Sequence, residues 1–129
     1  MAEQRLFSIR GATCAENTAE SITKAVGELM SLLFASNGLK AEDLVNIQFT
    51  VTSDLDALNP ATALRKSCTG LDISHTALFC SQEAEIKGML PRVIRVMVTC
   101  YMDSSSMPRG AYINGAQVLR PDLAGERSL

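Results

Sequence analysis

The chain has 129 residues, 47% of them hydrophobic and 20% charged, a composition that suits one globular domain, 1–129, with its own core. A net charge of −2 provides no face-wide excess of Lys and Arg for phosphates, which argues against a nucleic-acid partner but leaves room for a local cationic pocket. No apolar run is long enough to span a bilayer, and Met1-Ala-Glu-Gln-Arg-Leu6 lacks the apolar stretch of a secretory signal. A cytoplasmic protein with no membrane partner is expected.

The first strand is expected over Arg5–Thr13, with Leu6, Ser8 and Arg10 on one face and Phe7 and Ile9 on the other. Gly11 then marks a bulge or a close backbone approach. Asn17 and Glu20 have the spacing of a capping box. Ile22, Val26, Leu29 and Leu33 form the apolar stripe of a helix that stops at Asn37-Gly38. A short turn leads to a second strand, Val45–Thr52, in which Ile47, Phe49 and Val51 alternate with polar residues.

Asn59-Pro60 opens a second helix, with the cap at Asn59 and proline at the first helical position, running to about Thr69 before Gly70. Arg65 near its end is favoured there by the helix dipole. A third strand is expected over Ser74–Cys80, a polar loop over Ser81–Pro91, a fourth strand over Arg92–Met102 and a fifth over Ala111–Leu119. The tail from about residue 121 to 129 is expected to be mobile. The order β-α-β-α-β-β-β implies an α+β fold: a five-stranded mixed sheet with its two main helices on one side. The other face would then be apolar enough to want a partner, and oligomerisation is the economical cover.

Cys14, Cys68, Cys80 and Cys100 are widely spaced and only one histidine, His75, accompanies them, so no zinc set is expected. They read as reduced thiols, with Cys14, Cys68 and Cys100 as small core residues and the methionines as filler. The residue that needs a reason is Arg95, which interrupts the apolar run Val93-Ile-Arg-Val-Met-Val98. Three readings stand: a buried Arg–Glu ion pair, an arginine on the solvent face of a half-exposed strand, or a dry pocket built to hold an anion.

Five motifs bear on that choice: Ile9-Arg-Gly-Ala-Thr13; Asp54-Leu55 followed by Pro60-Ala61 and Arg65; Cys80-Ser-Gln-Glu83; Ile94-Arg-Val-Met97; and Val118-Leu-Arg-Pro-Asp-Leu123. In this order and spacing, from about Leu6 to Leu123, the chain resembles the monofunctional chorismate mutases of the trimeric pseudo-α/β-barrel class. The resemblance implies a homotrimer with sites between subunits and the Claisen rearrangement of chorismate to prephenate, on the route to phenylalanine and tyrosine. It implies no cofactor, no metal and no covalent intermediate.

It also implies roles. Arg95 would donate to the ether oxygen as the C–O bond breaks, and Glu83 and Cys80 would orient the ring hydroxyl, Glu83 also holding Arg95. Arg10 and Tyr112 would bind the side-chain carboxylate, meeting Cys80, Glu83 and Arg95 across a subunit boundary. Arg65, Ala61 and Leu119 would form the opposite wall, and Arg120 would stand near the mouth. His75 would have no catalytic duty, since a pericyclic step needs no general base.

The chain departs from the family at Asn59, where an aromatic residue is common, at Thr62 (lysine) and at Phe79 (a small hydroxyl residue), all in the pocket wall and its electrostatics. Two alternatives remain: an imine or enamine deaminase on a related trimeric fold, and a trimeric ligand-binding module without turnover. The chain is too short for a fused dehydratase, dehydrogenase or regulatory domain.

Overall fold

Period-two alternation lays down β1 (Gln4–Cys14), which buries Phe7, Ile9, Gly11 and Thr13 and exposes Leu6, Ser8 and Arg10. In the computed structural model, which describes residues 3–122, this strand lies near the middle of a five-stranded sheet. The other elements are α1 (Ala19–Ser36), β2 (Leu44–Val51), α2 (Pro60–Lys66), β3 (Ala77–Gln82), β4 (Val93–Asp103) and β5 (Ala111–Tyr112). Strand order is β3-β2-β4-β1-β5. The central pairs β2–β4 and β4–β1 are antiparallel, while the outer strands β3 and β5 pair parallel with β2 and β1. The expected α+β fold with a mixed sheet is the one found.

Both helices cover the same face. Ile22, Val26, Leu29 and Leu33 of α1 and Ala61, Ala63 and Leu64 of α2 share one core with Phe7, Ile9, Ile47, Phe49, Ile94, Val96 and Val98 of the sheet. Each fully buried large aliphatic side chain there stabilises the fold by about 1.5–3 kcal/mol. The opposite face is open over most of its area. It carries Leu6, Phe79 and Tyr101, all exposed, among Ser8, Gln48 and Thr50, so it is more mixed than apolar. One end of it is closed by a smaller cluster of Ala12, Val93, Tyr112 and Ala116, with Leu119 packed against them. No helix among the described residues is long and apolar enough to cross a membrane.

Several element ends differ from expectation, each for a local reason. The cap of α1 is Thr18, whose Oγ1 accepts from the Ser21 N–H at 3.1 Å. Asn17 instead accepts from the N–H groups of Asp56 and Ala57 (3.0 and 2.9 Å), tying the start of α1 to the loop ahead of α2. Helix α2 ends at Lys66, short of Thr69, because the Ser67 hydroxyl takes the Ala63 carbonyl at 2.8 Å and breaks the backbone ladder.

Strand β3 starts later than Ser74, since Asp72 folds back to accept the Ser74 N–H, and runs on to Gln82. Strand β5 stops at Tyr112: Asn114 (φ 55°) and Gly115 (φ 99°) turn the chain, and Ala116–Leu119 forms a single 3-10 turn. From residue 123 on, the tail expected to be mobile lies outside the described residues.

The thiols divide by depth. Cys100 is fully buried, Cys14 and Cys80 are half-buried, and Cys68 is exposed, contrary to its expected place in the core. Burial pushes the Cys100 thiol up to about 11, helped by the Asp43 carboxylate, and burial also raises Cys14 and Cys80. Only thiolate reacts with a disulfide probe. At pH 8, Cys68 is therefore expected to be modified first and Cys100 only after unfolding, which mass-resolved labelling with and without denaturant will read. Fast labelling of Cys100 in the native protein would contradict its burial.

Candidate active site

The register of the open face builds the site. Tyr112, Ala12, Arg95, Thr50 and Ser81 stand side by side in one row across all five strands. In the next row lie Arg10, Met97, Gln48 and Phe79. Side chains two apart on a strand share a face, so Arg10 and Ala12 project with Arg95 and Met97. They frame a cleft of about 260 Å³ lined by Arg10, Gln48, Thr50, Glu83, Arg95, Tyr112 and Arg120.

Glu83 follows the end of β3, and its N–H extends the ladder to the Val51 carbonyl at 2.9 Å. Counting by twos from Phe79 and Ser81 brings its side chain to the open face. There Glu83 Oε1 lies 2.9 Å from Arg95 Nε and accepts from Thr50 Oγ1 at 3.0 Å. The side chains of Arg95 and Glu83 are 42% and 28% exposed, so this ion pair is a cleft wall and not a buried core contact.

Arg95 owes its place to a knot at the start of β4. Thr52 Oγ1 accepts from the Val93 N–H at 3.0 Å and donates to Asp54, whose carboxylate receives the Arg92 N–H at 3.0 and 3.1 Å. The knot holds Arg92 at φ 55°, a left-handed geometry that a residue with a side chain adopts only under constraint.

Tyr112, 8% exposed, packs in the smaller cluster and lines the cleft. The Arg120 guanidinium makes a two-pronged pair with Asp122 at 3.2 and 3.3 Å. The Asp122 hydrogen bond holds Arg120 above the usual guanidinium range, and the Tyr112 phenol adds to this. Arg10 makes no ion pair among the described residues. Three guanidiniums thus converge on a cleft whose lining holds one carboxylate, Glu83.

Of the expected site residues, Arg10, Glu83, Arg95, Tyr112 and Arg120 come together within a single chain. The subunit boundary expected between Arg10–Tyr112 and Glu83–Arg95 is therefore not present: β1, β4 and β5 are neighbours in one sheet. Leu119 stands behind Tyr112. Cys80, Ala61 and Arg65 lie elsewhere. Cys80 is level with Phe49, on the helix-covered face, and packs against the main core. Ala61 is buried in the first turn of α2, and Arg65 lines a separate groove with Asp72 and Ile73.

A larger groove, about 450 Å³, runs past Cys14, Lys24, Glu28 and Arg92, and there Arg92 pairs with Glu16 at 3.4 Å. Sequence reasoning missed Thr50 and Gln48. Their outward positions follow from alternation, but their partners become visible only once β2 is set against β4.

Comparison with known proteins identifies the family. The family described as chorismate mutase type I matches residues 6–123. The chain is 38% identical over 118 residues to the chorismate mutase AroH of Thermus thermophilus, covering 89% of this chain and 93% of that protein. It is 36% identical over 118 residues to chorismate mutase AroH of Bacillus subtilis, covering 90% and 91%. Among solved structures, a chorismate mutase from Clostridium thermocellum superposes with a TM-score of 0.77 at 38% identity, over 87% of this chain and 98% of that one. These findings decide against the deaminase alternative. The chain belongs to the type I chorismate mutases, and its activity is that of a chorismate mutase.

Proposed function

We propose that chorismate binds in the cleft framed by β1, β2, β4 and β5, that Arg95 and Glu83 act on the reacting atoms, and that a neighbouring copy in a homotrimer closes the cleft. The observation that carries this reading is the meeting of Arg10, Arg95 and Arg120 at one cleft, where the three guanidiniums outnumber the carboxylates of Glu83 and Asp122 and favour an anionic substrate. Arg10 and Tyr112 grip the side-chain carboxylate, with Arg120 at the mouth. The grip holds the substrate in the folded conformer in which its terminal carbons meet.

As the C–O bond breaks and the C–C bond forms, electron density gathers on the ether oxygen. Arg95 Nε is committed to Glu83, so its terminal nitrogens are the donors left for that oxygen. Stabilisation that grows toward the transition state raises kcat, where uniform binding would not. Glu83 has Oε1 engaged twice internally, which leaves Oε2 for the ring hydroxyl and places negative charge beside a ring that becomes relatively positive. No proton changes hands. The product, prephenate, feeds phenylalanine and tyrosine synthesis.

The opposite wall comes from Ala61, Arg65 and Cys80 of the next copy. Ala61 and Cys80 pack on the helix-covered side of the sheet and Arg65 lines a groove beside α2, while the arginine cleft lies on the open face. A ring in which one subunit's β3 edge meets the next subunit's cleft brings the two halves together.

The test is complementation. Arg95→Ala and Arg65→Ala, each nearly inactive alone, are refolded together in equal amounts. In a closed ring about one site in four then regains both arginines, and about a quarter of the wild-type rate returns. A mixture as inactive as its components, or a light-scattering mass other than three chains, would overturn the shared site.

A further inference from the structure

We infer that Thr50 is a positioning residue for the rearrangement: its hydroxyl fixes the Glu83 carboxylate so that one oxygen holds Arg95 and the other is left for the substrate. The inference rests on the roles proposed above for Glu83 and Arg95. Thr50 stands directly opposite Arg95 in the β2–β4 ladder and beside Ser81 of β3. Its Oγ1 donates to Glu83 Oε1 at 3.0 Å, and the Arg95 Nε lies 2.9 Å from the same oxygen. Among the described residues this is the only side-chain hydrogen bond Thr50 makes.

Glu83 needs such a tether. It lies one residue past the end of β3, where the chain leaves for a loop, and its backbone is held by one bond, to Val51. A guanidinium and a carboxylate left to themselves prefer two parallel hydrogen bonds. That arrangement would draw in a terminal nitrogen of Arg95 and the second oxygen of Glu83, the two groups the reaction uses. A hydroxyl on Oε1 opposes that rotation. Strand propensity alone does not call for threonine here, because valine has the same shape and suits a strand equally well.

The experiment compares Thr50→Val, Thr50→Ser and Glu83→Ala, alone and with Thr50→Val added to Glu83→Ala. Thr50→Val is expected to lower kcat about tenfold, the scale of one hydrogen bond to a charged group, with KM nearly unchanged because Arg10 and Tyr112 are untouched. Thr50→Ser, which keeps the hydroxyl, restores kcat. In the Glu83→Ala background Thr50→Val adds no further loss, because the hydroxyl acts only through Glu83.

Wild-type kcat in Thr50→Val, or an equal fold-loss in both backgrounds, would overturn the inference while leaving Glu83 in its role. Full activity of Glu83→Ala would overturn the reading of the site and this inference with it. Should Thr50→Val melt early, Thr50→Ala takes its place in the same comparison.

Discussion

Arg95→Ala is expected to lower kcat/KM by about 10²–10³ or more, the usual consequence of losing a fixed donor aimed at developing negative charge. The melting temperature should hardly move. The Arg95–Glu83 pair is partly exposed, at 42% and 28%, and pairs of that kind contribute about 0–1 kcal/mol to folding. Arg95→Lys should recover little. A lysine offers one nitrogen, whereas this position needs Nε for Glu83 and terminal nitrogens for the substrate at the same time. The readings are the disappearance of chorismate absorbance and thermal melting by circular dichroism. If melting falls in step with activity, Arg95 is a structural ion-pair partner, one of the plainer explanations its sequence context offered.

That context singled out Arg95 and Glu83, polar groups inside and just beyond apolar runs, whereas Arg10, Tyr112 and Arg120 entered through the family resemblance. The folded chain brings all five to one cleft. The residue pattern was sufficient for β1 and β2, by alternation, and for β4, by its apolar run. It misled at β5, where Asn114-Gly115 is a turn signal embedded in what reads as a strand.

The resemblance gave Cys80 and Glu83 to the same ring hydroxyl. Three residues apart on an extended chain, they point to opposite faces, and β2 fixes which: Cys80 levels with Phe49 over the helices, and Glu83 bonds to Thr50 on the open side. Thr50 was not legible because its role depends on the register of three strands. A single strand's pattern does not carry that information.

The second large effect is expected where β5 meets β1. A Cβ on Gly110 would sit 2.5 Å from the Arg10 carbonyl oxygen and 3.3 Å from the Tyr112 ring, and the nearer atom is backbone that cannot rotate away. Gly110→Ala must therefore part the two strands. Strand β5 has little to resist with: two residues paired to Gly11 and Ala12, and the bond from the Ile113 N–H to the Ala12 carbonyl at 3.1 Å. Stability should fall by about 1–3 kcal/mol, the cost of overpacking.

Activity should fall further, because the parted strands carry Arg10 and Tyr112, and a misplacement near 1 Å at a reacting site can cost about 10²-fold. Gly38→Ala separates the two effects. It has φ 59° and open space around its Cβ position, so it costs roughly 1–2 kcal/mol of backbone strain, and it lines a groove with Gln4 and Asp103, none of which lines the cleft. Denaturant midpoints should therefore shift similarly for both variants, while kcat/KM falls only in Gly110→Ala. Equal activity in the two would mean that the cleft tolerates movement of β5, and that Tyr112 is not held by the close approach of β5 to β1.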